Sequence, residues 1–237
     1  MFESDPFNPM VYWPHVVVGI GSVFAALLAI FSKKGARLHR AAGITFSAAM
    51  GIAALTAILF STWRFAPPAL VSAFSVIYAI GMAILSLRAR SGAWKAVQWT
   101  LVTVPLVLGL VGLVAVASLF AQDMPPTLRL MAGIPASLVT IFFLVVAFKD
   151  VGFLRTAEVD RLRRLRRHAL RMAIAAAEVV RAPLISFGPP IGPDGAFTFP
   201  LYFFGPFLLI PLVYFLAMPA WVKRRAETPP TARARAA

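Results

Sequence analysis

Long apolar stretches constrain this chain more than any other feature of its sequence. A helix needs about 20 consecutive, mostly apolar residues to cross the hydrocarbon core of a bilayer. We identify seven such stretches: Tyr12–Phe31, Ala41–Phe60, Ala69–Leu87, Ala96–Phe120, Arg129–Phe148, Ala169–Phe187 and Pro200–Trp221. The sixth is the weakest, because Arg171, Glu178 and Arg181 interrupt it. The pattern predicts an all-α fold, a polytopic transmembrane helical bundle with seven spans.

The composition agrees with this prediction and excludes several classes of protein. Hydrophobic residues make up 60% of the 237 residues and charged residues 14%, against about 45–50% and about 25% in soluble chains. The absence of cysteine excludes disulfides, iron–sulfur clusters and thiolate zinc sites. The chain also lacks a glycine-rich phosphate loop and a His-Glu-x-x-His motif. We expect a membrane bundle over residues 1–221 and a basic, disordered cytoplasmic tail over residues 222–237.

The basic residues fall almost entirely in alternate connections between the predicted spans. Segments 32–40, 88–95 and 149–171 and the tail after residue 221 contain all but three of the 23 lysines and arginines. The positive-inside rule therefore predicts an outer N-terminus and a cytoplasmic C-terminus. These connections account for the net charge of +14. The expected partner is thus a bilayer with an anionic inner leaflet, and not a nucleic acid.

Three histidines are candidate ligands for a cofactor. His15 and His39 each lie on a face of small residues, which includes Gly19 in the first span and Gly43 and Gly51 in the second. Such faces are typical of close helix packing with a polar residue at the interface. The alternative is a flat cofactor that lies against the small residues and is ligated by the histidine.

The predicted topology decides which histidines can share one iron. His39 and His168 both begin helices that enter from the cytoplasmic side, so they lie at the same depth. They can be the axial metal ligands of one b-type haem, with Arg40 and Arg171 placed for its propionates. His15 lies near the outer end of its span, about 30 Å away, and would need another partner.

The sixth span carries its polar residues on one stripe. Helical spacing places His168, Arg171, Glu178 and Arg181 within an arc of about 140°. Charged groups in a span must face protein, water or each other. One interpretation is a structural ion pair between Glu178 and Arg181, which are three residues apart. The other is a site for an anionic group such as a haem propionate, a lipid headgroup or a quinone-like substrate.

Aromatic residues follow the longest outer loop and begin the seventh span. They are Phe197, Phe199, Tyr202, Phe203 and Phe204. Aromatic side chains are enriched at both interfaces of a membrane, so the cluster predicts an interfacial belt. The alternative is that these rings line an outer pocket.

Three short motifs occur in a fixed order along the chain. They are His15-x3-Gly19, Gly35-x3-His39-Arg40-x2-Gly43, and His168-x2-Arg171-Met172 followed by Arg181. Their order resembles that of the bacterial integral membrane proteins of domain-of-unknown-function family 2306. The resemblance implies a multi-pass protein of the bacterial inner membrane, and it implies no particular activity.

Three functional hypotheses follow, and they belong to different classes. The first is a haem-binding electron-transfer protein, with His39 and His168 as ligands and with Arg40, Arg171 and Arg181 balancing anionic groups. The second is a transporter or ligand-binding protein that uses the polar stripe of the sixth span. The third is a structural accessory subunit. Haem b is the cofactor of the first hypothesis alone, and no residue indicates a redox partner or a homo-oligomer.

Overall fold

The computed structural model describes residues 9–63, 67–88, 92–156, 159–192, 195 and 197–227. These residues form α1 (Pro9–Phe31), α2 (Arg37–Trp63), α3 (Pro67–Ser86), α4 (Gly92–Ala121), α5 (Pro126–Arg155), α6 (Arg161–Phe187) and α7 (Thr198–Glu227). The described part of the chain contains no strand. Each predicted apolar stretch corresponds to one helix, so the prediction of an all-α fold is confirmed.

The first five helices are long and apolar enough to cross a membrane, judged by length and composition. Their apolar side chains are largely exposed. Within the most apolar part of each helix, only 17% of the residues of α1 and 11% of those of α4 are buried. Helices that are apolar on all sides and yet exposed are stable only in contact with lipid. The chain is therefore a multi-pass membrane protein.

The last two helices are less apolar over the described side chains. α6 carries the charged stripe, and the apolar part of α7 is Leu201–Tyr214. α7 continues to Glu227, so residues 222–227 of the predicted disordered tail are helical instead. Lysine, arginine, alanine and glutamate are good helix formers, and they extend the helix towards Pro229. Residues 228–237 of the predicted tail lie outside the described residues.

The basic segment 149–171 is a helical structure over most of its length, and not a loop. α5 continues to Arg155 and α6 begins at Arg161, which leaves a short connection. The Asp160 side chain caps α6, since it accepts a hydrogen bond of 2.6 Å from the backbone N–H of Arg163. An aspartate at this position satisfies a donor that the first turn leaves without a helical partner. The arginines of the segment are consequently ordered on helix faces.

The chain divides into two compact units, residues 1–77 and residues 78–236. In the first unit, α1 and α2 pack against each other as a hairpin. The turn between them contains Gly35 at φ +84°, a conformation that glycine adopts without steric cost. Lys34 Nζ donates a 2.9 Å hydrogen bond to the carbonyl of Ala29 near the end of α1. Desolvation by partial burial lowers the pKa of Lys34.

In the second unit, α4 and α5 approach each other closely at glycines. A Cβ atom on Gly109 would lie 2.5 Å from a methyl carbon of Leu144, and one on Gly112 would lie 2.4 Å from Thr140 Oγ1. Side chains at these positions would force the two helices apart. This close contact between α4 and α5 positions α5, which carries Asp150, the central residue of the candidate site.

Candidate anion-binding site

A buried carboxylate, Asp150 of α5, joins three helices of the second unit. Asp150 is 1% exposed. Its Oδ2 atom accepts a 2.5 Å hydrogen bond from the hydroxyl of Tyr78 in α3. Its Oδ1 atom accepts a hydrogen bond from Arg171 and lies 3.0 Å from Nη2 of Arg167, both in α6. One carboxylate thus faces two guanidinium groups, and the cluster keeps a positive formal charge.

The arginine contacts extend along one face of α6. Arg163, Arg167 and Arg171 are four residues apart, so they lie on the same side of the helix. The guanidinium carbon of Arg167 lies 3.8 Å from the ring centroid of Phe153, and that of Arg163 lies 5.9 Å from it. Phe153 follows Asp150 by one turn of α5. Asp150 and Phe153 of α5 therefore contact arginines of α6, and these contacts link the two helices.

These side chains border a cavity of about 560 Å³. Its cationic lining residues are Lys149, Arg163, Arg166, Arg167 and Arg171. Among the described residues, its one acidic lining residue is Asp150, and the remaining lining residues are Gly152, Phe153, Leu170 and Tyr214. The described lining thus has a formal charge of +4, from five cations and one anion. A cavity with this charge attracts anions.

The cations of the cavity differ in exposure. Lys149, Arg163 and Arg166 are exposed, whereas Arg167 is 8% and Arg171 2% exposed. Among the described residues, Nε and Nη1 of Arg171 are buried without a hydrogen-bond partner. Buried polar donors nearly always have a partner, and a buried cationic donor without one is costly. An anion in the cavity would supply the missing acceptor.

Glu178, a second buried acid, pairs with an arginine of the same helix, α6. Glu178 accepts a hydrogen bond from Arg181, and both side chains are 3% exposed. The guanidinium carbon of Arg181 also lies 4.2 Å from the ring centroid of Phe203 and 4.9 Å from that of Phe207. The two residues thus form the ion pair that their spacing predicts, and its structural or ligand-binding role stays a prediction. Arg171 and Arg181 of the predicted stripe are thus each paired with a carboxylate.

The predicted aromatic belt is wrong for two of its members. Tyr202 and Phe203 are each 9% exposed, and the Tyr202 hydroxyl donates a 3.0 Å hydrogen bond to the carbonyl of Pro189. The reasons are local, since Phe203 lies against the buried guanidinium of Arg181 and Tyr202 bonds to the backbone before α7. Phe197 and Phe204 are half-buried, and the side chain of Phe199 lies outside the described residues.

Each of the three histidines contacts a neighbouring helix through Nδ1. In the first unit, His15 Nδ1 lies 2.7 Å from Thr56 Oγ1 and His39 Nδ1 lies 3.0 Å from the carbonyl oxygen of Ala29. In the second unit, His168 Nδ1 lies 3.0 Å from the carbonyl oxygen of Ala83. The histidines are therefore interface residues. Joint ligation of a haem by His39 and His168 stays a prediction.

The other residues of the predicted haem site give no further support. Arg40 is exposed at the start of α2. A Cβ atom on Gly19, Gly43 or Gly51 would meet no atom within 4 Å. These three positions thus have room for a side chain, whereas Ser22 and Ala26 on the same face of α1 are 1% and 8% exposed, and close packing through the small-residue faces stays a prediction.

Sequence reasoning missed the centre of the site. The predicted site residues did not include Asp150, Tyr78 or Phe153. Arg167 was considered only as one basic residue of the segment 149–171. Two signals were present in the sequence. Asp150 is an acid next to an apolar stretch, and Arg163, Arg167 and Arg171 repeat every four residues.

Among the described residues, no group of three or more histidine, aspartate or glutamate side chains could hold a metal ion. No model of a known protein family, no curated protein and no solved structure matches this chain. The resemblance to family 2306 stays a prediction. The cavity between α5, α6 and α7 is consequently the basis for a functional assignment.

Proposed function

We propose that this protein is a bacterial inner-membrane protein that binds an anionic ligand in the basic cavity of α5, α6 and α7. The observation that carries the proposal is the cavity lining, with five cations against one acid and with a buried guanidinium whose Nε and Nη1 lack partners among the described residues. We further propose seven spans, an outer N-terminus and a cytoplasmic C-terminus, because the basic residues occupy alternate connections.

The placement of the arginines also supports anion binding. Residues 161–167 contain five arginines, and they form the first turns of α6. The N-terminus of a helix has a partial positive charge, so cations there lower the stability of the helix. A bound anion would be stabilised both by the arginines and by the helix end.

The proposal predicts a charge-selective binding site. The double variant Lys149→Gln with Arg166→Gln removes two exposed cations of the cavity lining. In purified protein, we expect it to bind an anionic amphiphile about tenfold more weakly or worse. The reason is that hydrogen bonds to charged groups contribute about 1.5–3 kcal/mol each. Fluorescently labelled oleate and labelled phosphatidylglycerol, titrated in a non-ionic detergent, measure the change in Kd.

The matched control removes the same charge elsewhere. Arg37→Gln together with Arg155→Gln exchanges two exposed arginines that do not line the cavity. This double variant is expected to bind both probes like the unmodified protein. If neither probe binds the unmodified protein, or if both double variants lose affinity equally, the proposed function is wrong.

A haem-binding electron-transfer protein is the second candidate. The observation that favours it is the orientation of two imidazoles, since a backbone carbonyl accepts from Nδ1 of His39 and from Nδ1 of His168. Such a hydrogen bond is the usual partner of a metal-ligating histidine, because it leaves Nε2 as the basic nitrogen.

The visible spectrum of the purified protein tests this candidate. A haem protein is expected to show a sharp band on reduction with dithionite, stoichiometric with protein and lost in His39→Ala and His168→Ala. His15→Ala is the matched control, and it should keep the band. A flat spectrum after haem has been supplied during expression would remove this candidate.

A further inference from the structure

We infer that the anionic group bound in the cavity is the phosphate of an inner-leaflet phospholipid. The inference rests on the proposed anion-binding function and adds the chemical class of the ligand. It depends on two observations: cationic donors that belong to two helices, and an exposed apolar strip that leads to the cavity.

The arrangement of donors favours a phosphate over a carboxylate. Lys149 belongs to α5, whereas Arg163, Arg166 and Arg167 belong to α6. A phosphate directs its oxygen atoms tetrahedrally, so it can accept from donors on both helices at once. A carboxylate presents two oxygen atoms in one plane. Guanidinium groups bind phosphate through paired N–H donors, which gives such contacts both strength and direction.

The surface next to the cavity indicates that the phosphate belongs to a lipid. On α5, Ile141 and Val145 precede Lys149 at intervals of four residues, so the three lie on one face. Ile141 is 55% and Val145 43% exposed. This apolar strip leads along a membrane-spanning helix to a cationic lining residue. An acyl chain can lie along the strip while the headgroup enters the cavity, as in other basic pockets between membrane helices.

Three probes distinguish the possible ligands in purified, full-length protein. The labelled lyso form of phosphatidylglycerol, a phosphate lipid with one oleoyl chain, is expected to bind at least tenfold more tightly than labelled oleate, a carboxylate with the same chain. Inorganic phosphate is expected to leave the bound lipid in place. Displacement by inorganic phosphate at concentrations similar to those of the lipid would overturn the lipid as the source.

Two variants test the role of the arginine geometry. Arg167→Lys keeps the charge beside Asp150 but removes the planar donor pair. It is expected to weaken phosphatidylglycerol binding about tenfold and to leave oleate binding unchanged. Arg155→Lys, at an exposed position outside the cavity, is the matched control and should alter neither. If Arg167→Lys does not fold, Lys149→Gln at the exposed edge of the cavity replaces it, with the same expected loss for the phosphate lipid.

The outcomes separate this inference from the proposed function. Oleate binding as tight as that of phosphatidylglycerol would overturn the phosphate assignment and leave anion binding intact. Failure of both probes would overturn both. Tight phosphatidylglycerol binding that Arg167→Lys and Lys149→Gln do not weaken would place the lipid elsewhere and overturn the inference.

Discussion

Replacing Asp150 with asparagine is expected to destabilise the protein by roughly 3–5 kcal/mol. The carboxylate faces Arg171, which is 2% exposed, and Arg167, which is 8% exposed. Without it, two buried guanidinium groups would lose their shared counter-charge, and Tyr78 would lose a charged acceptor. Thermal unfolding in detergent should show a fall of roughly 6–20 °C in the midpoint.

Two further variants show whether charge is the cause. Asp160→Asn makes the same change at an exposed position where asparagine can also cap the helix, so it should leave the midpoint nearly unchanged. Asp150→Asn combined with Arg171→Met removes one buried cation as well and should recover part of the loss. Equal effects of Asp150→Asn and Asp160→Asn would contradict the cluster described above.

Replacing Glu178 with glutamine is expected to have an effect of similar size, roughly 3–5 kcal/mol. Arg181 is 2% exposed, and it would lose its carboxylate partner. The rings of Phe203 and Phe207 attract the guanidinium, but exposed cation–π contacts contribute only about 0.5–1 kcal/mol and desolvated ones about 2. They cannot replace a buried counter-charge. The thermal midpoint and the yield of monodisperse protein measure the loss.

The double variant Glu178→Gln with Arg181→Met isolates the ion pair. Methionine keeps an apolar side chain against Phe203 and Phe207, so the double variant should be more stable than Glu178→Gln alone. Asp123→Asn, at an exposed position between α4 and α5, is the control for loss of one acid. A double variant no more stable than Glu178→Gln would show that the pair does not act as a unit.

The helices could be predicted from the sequence because they depend on local properties. Runs of about 20 apolar residues can satisfy their backbone groups in lipid only as helices, and each predicted stretch corresponds to one. The ends of the helices were predicted less accurately than the helices themselves. α5 and α6 extend well into the segment 149–171, because charged residues such as arginine form helices outside the membrane as readily as apolar ones do within it.

The site was less predictable because it depends on contacts between distant residues. The pair Glu178–Arg181 could be predicted, since the two residues are three apart on one helix. The contact between Tyr78 and Asp150 spans 72 positions, and no periodicity in either helix indicates it. Arg171 was correctly singled out as a polar residue in an apolar stretch. Its partner was missed because Asp150 lies at the very end of another stretch.

The shared carboxylate of Asp150 also constrains how the chain is made. An arginine at the centre of a bilayer costs about 2.5–3.5 kcal/mol during insertion by the translocon, and α6 carries Arg181 within its apolar stretch and Arg171 near the start of that stretch. Asp150 precedes Arg171 by 21 residues, so it is synthesised before α6. We expect Arg171 to pair with Asp150 as α6 enters the bilayer, so that the two charges meet before Arg171 faces lipid. Correct insertion of α6 then depends on a residue of α5.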